Sequence, residues 1–257
     1  MKLILALGTL VLVATIALVA GADGKRASAG PSFFLDDYKC YRAVGFDFDE
    51  EDVFLSDQFD DKEATVTGVA SFCAEVEKES EQESTIVDQV EARDYVCYKI
   101  EQEGFFFDIV DVGDNQFGDQ ELLLGTANQI CVRSEKEGNT SGGAAGEEIV
   151  PFFKCYRATW TSFDEFEPVA VDLEDQYRET SAQVLWPVSF CVPILSGLGN
   201  DSGAAGLNSS HVLVCYRIWE PGLEINHAEV NNVFGWQDLV VLWAQTLCLD
   251  SDKQNGD

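Results

Sequence analysis

The chain has 257 residues and carries 46 acidic against 16 basic side chains, a formal charge of −30. Phosphate backbones and anionic membrane surfaces both bind through Lys and Arg clusters, so neither nucleic acid nor an anionic membrane is an expected partner. Apolar residues at 46% and aromatics at 11% are ample for a packed core, so the acidity does not signal disorder.

Lys2 and the apolar run Leu3 to Ala20 read as a targeting signal, with small residues for cleavage at Ala20-Gly21-Ala22. Residues 1–22 are therefore expected to be a signal peptide. The alternative is an uncleaved anchor, because 18 apolar residues are just enough to span a bilayer. The chain is expected to be exported to the periplasm or the extracellular space. In that setting an even number of cysteines implies disulfides.

Eight cysteines follow: Cys40, Cys73, Cys97, Cys131, Cys155, Cys191, Cys215 and Cys248. Taken in consecutive pairs their separations are 33, 34, 36 and 33, and each pair is followed by a step of 24 to the next. Such spacing asks for a search for internal repeats. The first cysteines sit in Tyr38-Lys39-Cys40-Tyr41-Arg42, Tyr95-Val96-Cys97-Tyr98-Lys99, Phe153-Lys154-Cys155-Tyr156-Arg157 and Leu213-Val214-Cys215-Tyr216-Arg217. Mid-module, Asp57-Gln58-Phe59, Asn115-Gln116-Phe117, Asp175-Gln176-Tyr177 and Asn232-Val233-Phe234 align, and 14 residues separate each aromatic from the second cysteine. Lys78, Lys136 and Lys253 sit five residues past their cysteines, with Ser196 at that place in the third copy. The modules span 33–78, 94–136, 152–195 and 211–253.

Within each module the apolar residues alternate with the period of strands. Before the turn these are Val53 and Leu55, Val110 and Val112, Val169, Val171 and Leu173, and Ala228 and Val230. After it come Ala64 and Val66, Leu122 and Leu124, Ala182 and Val184, and Leu239 and Val241. The Asp/Asn-Gln pair between the runs suits a turn, since Asp and Asn bond nearby backbone. The second module has one extra residue ahead of its aromatic, which predicts a bulge at Gly113. Each module is expected to hold about four short antiparallel strands. Residues 79–85 form a charged connector, and 138–146 and 196–210 are Gly- and Ser-rich linkers with sequons at Asn139, Asn200 and Asn208.

Pairing inside modules gives four equivalent disulfides: Cys40–Cys73, Cys97–Cys131, Cys155–Cys191 and Cys215–Cys248. The offset pairing strands Cys40 and Cys248. The fold class is thus all-β, four tandem modules each closed by one disulfide. Modules this small need a staple or a partner, so they are expected to pair into sandwiches, with a four-bladed propeller as the alternative.

No catalytic constellation is marked out. The only histidines are His211 and His227, and no Gly-x-Ser-x-Gly elbow occurs. Asp47, Asp49 and Glu51 lie in an acidic cluster with oxygen ligands suited to Ca²⁺, without the glycine of a calcium-binding loop. No other cofactor is expected. Tryptophan is confined to the second half, and Trp186 and Trp243 share one repeat position, where earlier copies carry Gly68 and Thr126. Exposed, these rings could stack on a ligand, but their strand phase favours packing in the core.

The frame aromatic-x-Cys-Tyr-Lys/Arg, then Asp-Gln-Phe, then Cys-x-Pro resembles a family of exported bacterial repeat modules without known catalytic residues. Cys191-Val192-Pro193 keeps the final proline, whereas the other copies lack it. The resemblance implies a cell-envelope or secreted location. The functional expectation is a non-enzymatic repeat protein with a binding or structural role toward an extracellular protein or glycan. A secreted hydrolase with a C-terminal site and a calcium-dependent surface protein are the alternatives.

Overall fold

Three strands build each module: a short one with the first cysteine, a second short one, and a long one with the second cysteine. They are β1 (Tyr38–Gly45), β2 (Glu51–Ser56) and β3 (Asp61–Glu79) in the first module, and β4 (Asp94–Glu101), β5 (Asp108–Gly113) and β6 (Gln120–Lys136) in the second. The third has β7 (Phe153–Trp160), β8 (Val169–Asp175) and β9 (Glu179–Pro193) with the two-residue β10 (Ser196–Gly197), and the fourth β11 (His211–Trp219), β12 (Asn226–Asn232) and β13 (Gly235–Gln254). This computed structural model describes residues 36–46, 48–79, 94–113, 115–136, 152–161, 166–198, 211–222 and 225–254. The expected signal peptide, most of the connectors, the three sequons and Asp47 lie outside them.

The eight cysteine-bearing strands close on themselves. Their order is β1-β13-β11-β9-β7-β6-β4-β3, and β1 also pairs with β3, every contact antiparallel. Closure removes the exposed edges that make open sheets prone to aggregation. The modules therefore form neither separate sandwiches nor propeller blades. They share one barrel, in which modules 1 and 3 are never neighbours, nor are 2 and 4.

The remaining short strands lie outside this circuit and join those non-neighbours. Each pairs with the start of its own long strand; β5, β8 and β12 also pair with the far end of the long strand two modules away, and β2 with β10 just beyond β9. Lys78 lies opposite Leu173, Lys136 opposite Val230, and Lys253 opposite Val112, while β10 pairs with β2. The recurrent lysine five residues past each cysteine thus marks where one module invades another.

Each module has three strands rather than four because the long strand runs unbroken where two were expected. Register shifts bend it twice. The first inserts an extra residue near Gly68, Thr126, Trp186 and Trp243, and the second at Ala70, Asn128, Val188 and Gln245. Such bulges kink a strand without ending it. The bulge expected at Gly113 is absent, since β5 runs in unbroken register with β6 from Asp108 to Val112. The extra residue lies instead between the strand and the turn. A side chain at Gly113 would collide with Gln254 and Asp119. Of the alternating apolar residues only Val169 is exposed.

The core lies between the barrel's outer wall and the outer strands. Tyr41, Tyr98, Tyr156 and Tyr216, each following a first cysteine, point outward into it and are almost fully buried. What they meet is the turn of the module two away. The side chain of Asp57, Asn115, Asp175 or Asn232 first folds back to accept the N–H of the residue two further on, at 2.6–2.9 Å. Its other terminal atom then reaches a tyrosine. Tyr156 donates to Asp57 at 2.7 Å and Tyr41 to Asp175, while Asn232 donates to Tyr98 at 2.9 Å and Asn115 to Tyr216 at 3.2 Å. The neighbouring aromatic packs edge-on against the same ring, as Phe59 does on Tyr156 at 5.2 Å and Phe234 on Tyr98 at 4.7 Å.

Two chemistries serve this contact. Between modules 1 and 3, buried Lys39 pairs with Asp175, joined by Glu220 of the fourth module, and buried Lys154 pairs with Asp57 and Asp60. Between modules 2 and 4 the lysine position holds Val96 or Val214, and the turn holds asparagine. There Tyr98 donates to Gln237 and Tyr216 to Gln120, while Asn232 and Asn115 donate to Ser134 and Ser251. An exchanged partnership would bury a lysine without its carboxylate, at a cost of about 3–5 kcal/mol.

Two measurements follow from this contact. K154V alone strands the Asp57 carboxylate, Asp60 keeping Lys62, and D57N alone weakens a buried ion pair, but the double variant restores the neutral chemistry at the Asp57 position. Urea unfolding should find it less destabilised than the sum of the singles by at least about 1 kcal/mol; strict additivity would refute the coupling. Burial pushes Tyr98 up to about 12 and raises Tyr41, Tyr156, Tyr177 and Tyr216 as well, Asp57 and Asp175 adding to the effect at Tyr156 and Tyr41. The unfolded chain ionises near pH 10 while the folded tyrosines hold their protons. The tyrosine contribution to stability should be constant below that pH and fall steadily from about pH 10 to 12, with a shallower slope in Y98F.

Candidate functional site

Strand alternation that sends each tyrosine out turns each cysteine in. The two cysteines of a module lie directly opposite one another on paired strands, and all four expected disulfides form. Loops of this length give roughly 3–4 kcal/mol apiece in the chain-entropy account. Between modules the sulfurs are also in contact. Cys73 and Cys97, Cys131 and Cys155, and Cys248 and Cys40 lie 3.7 Å apart, and Cys191 and Cys215 4.0 Å. Eight sulfurs thus line the barrel as a ring of alternating bonds and contacts.

Closure changes the reading of the offset pairing. Because β1 meets β13, Cys40 is no further from Cys248 than the other sulfurs are from their neighbours, so a register shifted by one would also use all eight. The free cysteine that excluded it exists only in an open array.

Below the ring the barrel is plugged by Tyr38, Tyr95, Phe153 and Leu213, two residues before each first cysteine and all buried. Tyr95 packs edge-on against Tyr38 at 5.1 Å and Phe153 at 5.6 Å. Above it the lining turns polar. Ser71, Gln129, Ser189 and Thr246 stand two residues before each second cysteine, with Asn128 and Gln245 from the bulges, around a cavity of about 230 Å³. Directly opposite these four on the paired strands are Arg42, Lys99, Arg157 and Arg217. Each stands two residues past a first cysteine, so it shares the cavity side of its strand; Arg217 lines the cavity and all four are exposed.

The tryptophans are not in the core. Trp186 is 53% and Trp243 39% exposed. The bulge supplies the reason: its extra residue turns both rings out of phase with Val184 and Val241 before them. Trp243 lies under the Arg42 guanidinium, 5.9 Å from ring centre to carbon. Trp186 occupies the equivalent place on its strand, just before Pro187 opposite Tyr216, as Trp243 comes just before Ala244 opposite Tyr41. Gly68 and Gly125 sit at or beside the matching bulges of the other half, and Gly125 would place a Cβ 3.7 Å from that of Arg157.

Other expected residues lie elsewhere. His211 is at the closed end of β11, its Nδ1 3.5 Å from carboxylate oxygens of Asp250 and Asp252, and His227 is exposed on β12. Asp49 and Glu51 are exposed at the start of β2, and among the described residues no three acidic, His or Cys side chains gather around a metal-sized space. The cation ring was written in the Cys-Tyr-Lys/Arg frame. Its meaning needed closure of the barrel to emerge.

The disulfides show an oxidising, extracytoplasmic setting. No family model, curated protein or solved structure matches the chain.

Non-reducing peptide mapping of the exported protein should recover only the four intramodule cross-links. Finding Cys73–Cys97 or Cys40–Cys248 would mean that the shifted register competes.

Proposed function

We propose that the chain is a non-enzymatic exported protein of the cell envelope or extracellular space, carried there by residues 1–22, that binds a glycan at the open mouth of its barrel. The observation that carries this reading is the placement of Trp186 and Trp243. Both rings are exposed at the mouth, on bulges of neighbouring modules, where a folded protein gains nothing from showing large apolar surface. Flat aromatic faces beside amide and hydroxyl groups suit stacking on a sugar ring, with Gln245, Thr246 and Ser189 to bond its hydroxyls. The wall behind them is fixed by four disulfides, so little order is lost on binding.

Four-fold repetition favours binding over catalysis, because reaction centres need one singular set of groups. His211 lies at the plugged end of the barrel, and His227 stands on the outer strand β12.

The test is binding of the full mature protein to an array of glycans and envelope fractions. Wild type should retain a defined subset, and W186A/W243A should lose at least about tenfold in affinity at an unchanged melting temperature. Retention of the same ligands by the double variant would place the site elsewhere.

A further inference from the structure

The four cations at the mouth say more about the ligand. Lys39, Lys62, Lys154 and Arg178 each pair with a carboxylate. Arg42, Lys99, Arg157 and Arg217 form no ion pair among the described residues, in a chain with 46 acidic side chains. They occupy one repeat position on strands whose sulfurs touch in a closed ring, so the modules bring four like charges to one rim. Such charges repel each other, and a chain of −30 has carboxylates to spare for them. On that face of the short strands, two residues further on, stand Val44, Glu101, Thr159 and Trp219, so only one acid follows the four cations.

From this geometry we infer that the mouth takes an oxyanion group, a sulfate or phosphate ester, carried on the saccharide. The inference rests on the glycan reading above for the saccharide and on the cations alone for the anion. The oxyanion sits among the four cations, over the hydroxyl and amide groups of Ser71, Gln129, Ser189 and Thr246, which complete its hydrogen bonds. The sugar ring leans to the half that carries Trp243, Trp186 and Trp219. The other half is kept open by Gly68 and Gly125. The four-fold frame supplies the charge, and the break in its symmetry supplies a direction.

The test is calorimetric titration of the full mature protein with a sulfated tetrasaccharide, its desulfated counterpart, and sodium sulfate alone. The sulfated sugar should bind at least about tenfold more tightly than the desulfated one, with the difference shrinking as salt rises. The preference should collapse to about twofold or less in R157Q/R217Q, whose exposed positions leave melting unchanged, and persist in R157K/R217K, which keeps the charge. Equal binding of the two sugars overturns the inference and leaves the glycan reading standing, as does an undiminished preference in R157Q/R217Q. Sulfate binding that R157Q/R217Q abolishes, with no response to either sugar, upholds the oxyanion site and overturns the glycan reading. Silence toward all three ligands overturns both.

Discussion

The contact between a turn and a tyrosine two modules away holds this structure together. One Asp or Asn does two tasks: it closes its own turn by accepting a backbone N–H, and it meets a buried hydroxyl across the fold. The turn's aromatic packs on that tyrosine's ring, and the end of the long strand, or β10 just beyond β9, pairs with the other module's short strand. Apart from the turn's own N–H bond, none of this can form within one module. A buried tyrosine hydroxyl without a partner costs about 1–3 kcal/mol, so a module alone would lose its core and its polar satisfaction together. The charged and neutral versions of the contact also distinguish one pair of modules from the other, which favours a single order of assembly among four similar units.

Because the outer wall is satisfied by those contacts, the inner wall is free for something else. Alternation divides each Cys-Tyr-Lys/Arg frame cleanly. Tyrosine goes to the core, cysteine goes to the barrel interior, and the cation stands exposed on the cysteine's side of the strand. The disulfides stiffen the wall at mid-height, the aromatic plug closes one end, and the cations and tryptophans crowd the other. Structure and candidate site thus come from the same few positions, read on opposite faces of the same strands.

Much of this was legible in the residues. Cysteine spacing gave the disulfides, the alternating apolar residues gave the strands and their buried face, and the Asp/Asn-Gln step gave the turns. What stayed hidden depends on closure and on partners distant in sequence. Lys39 and Asp175 lie too far apart for a repeat pattern to pair them, though the coincidence of lysine with Asp and valine with Asn was a usable signal. The tryptophans were placed in the core because a period of two was carried through a bulge. One inserted residue reverses every face beyond it, and nothing local marks the insertion where Trp186 and Trp243 replace glycine or threonine. The arginines were visible as part of a motif, but a motif does not say that four copies converge.

The interlocked modules should have no independent stability. Native-state hydrogen exchange followed by mass spectrometry, with the disulfides intact, tests it most directly. The most protected amides of β1, β4, β7 and β11 should open with one shared free energy and one shared dependence on urea. If the amides of any single module opened well below that value, with a small urea dependence of their own, that module would be a separate folding unit and the account would be contradicted.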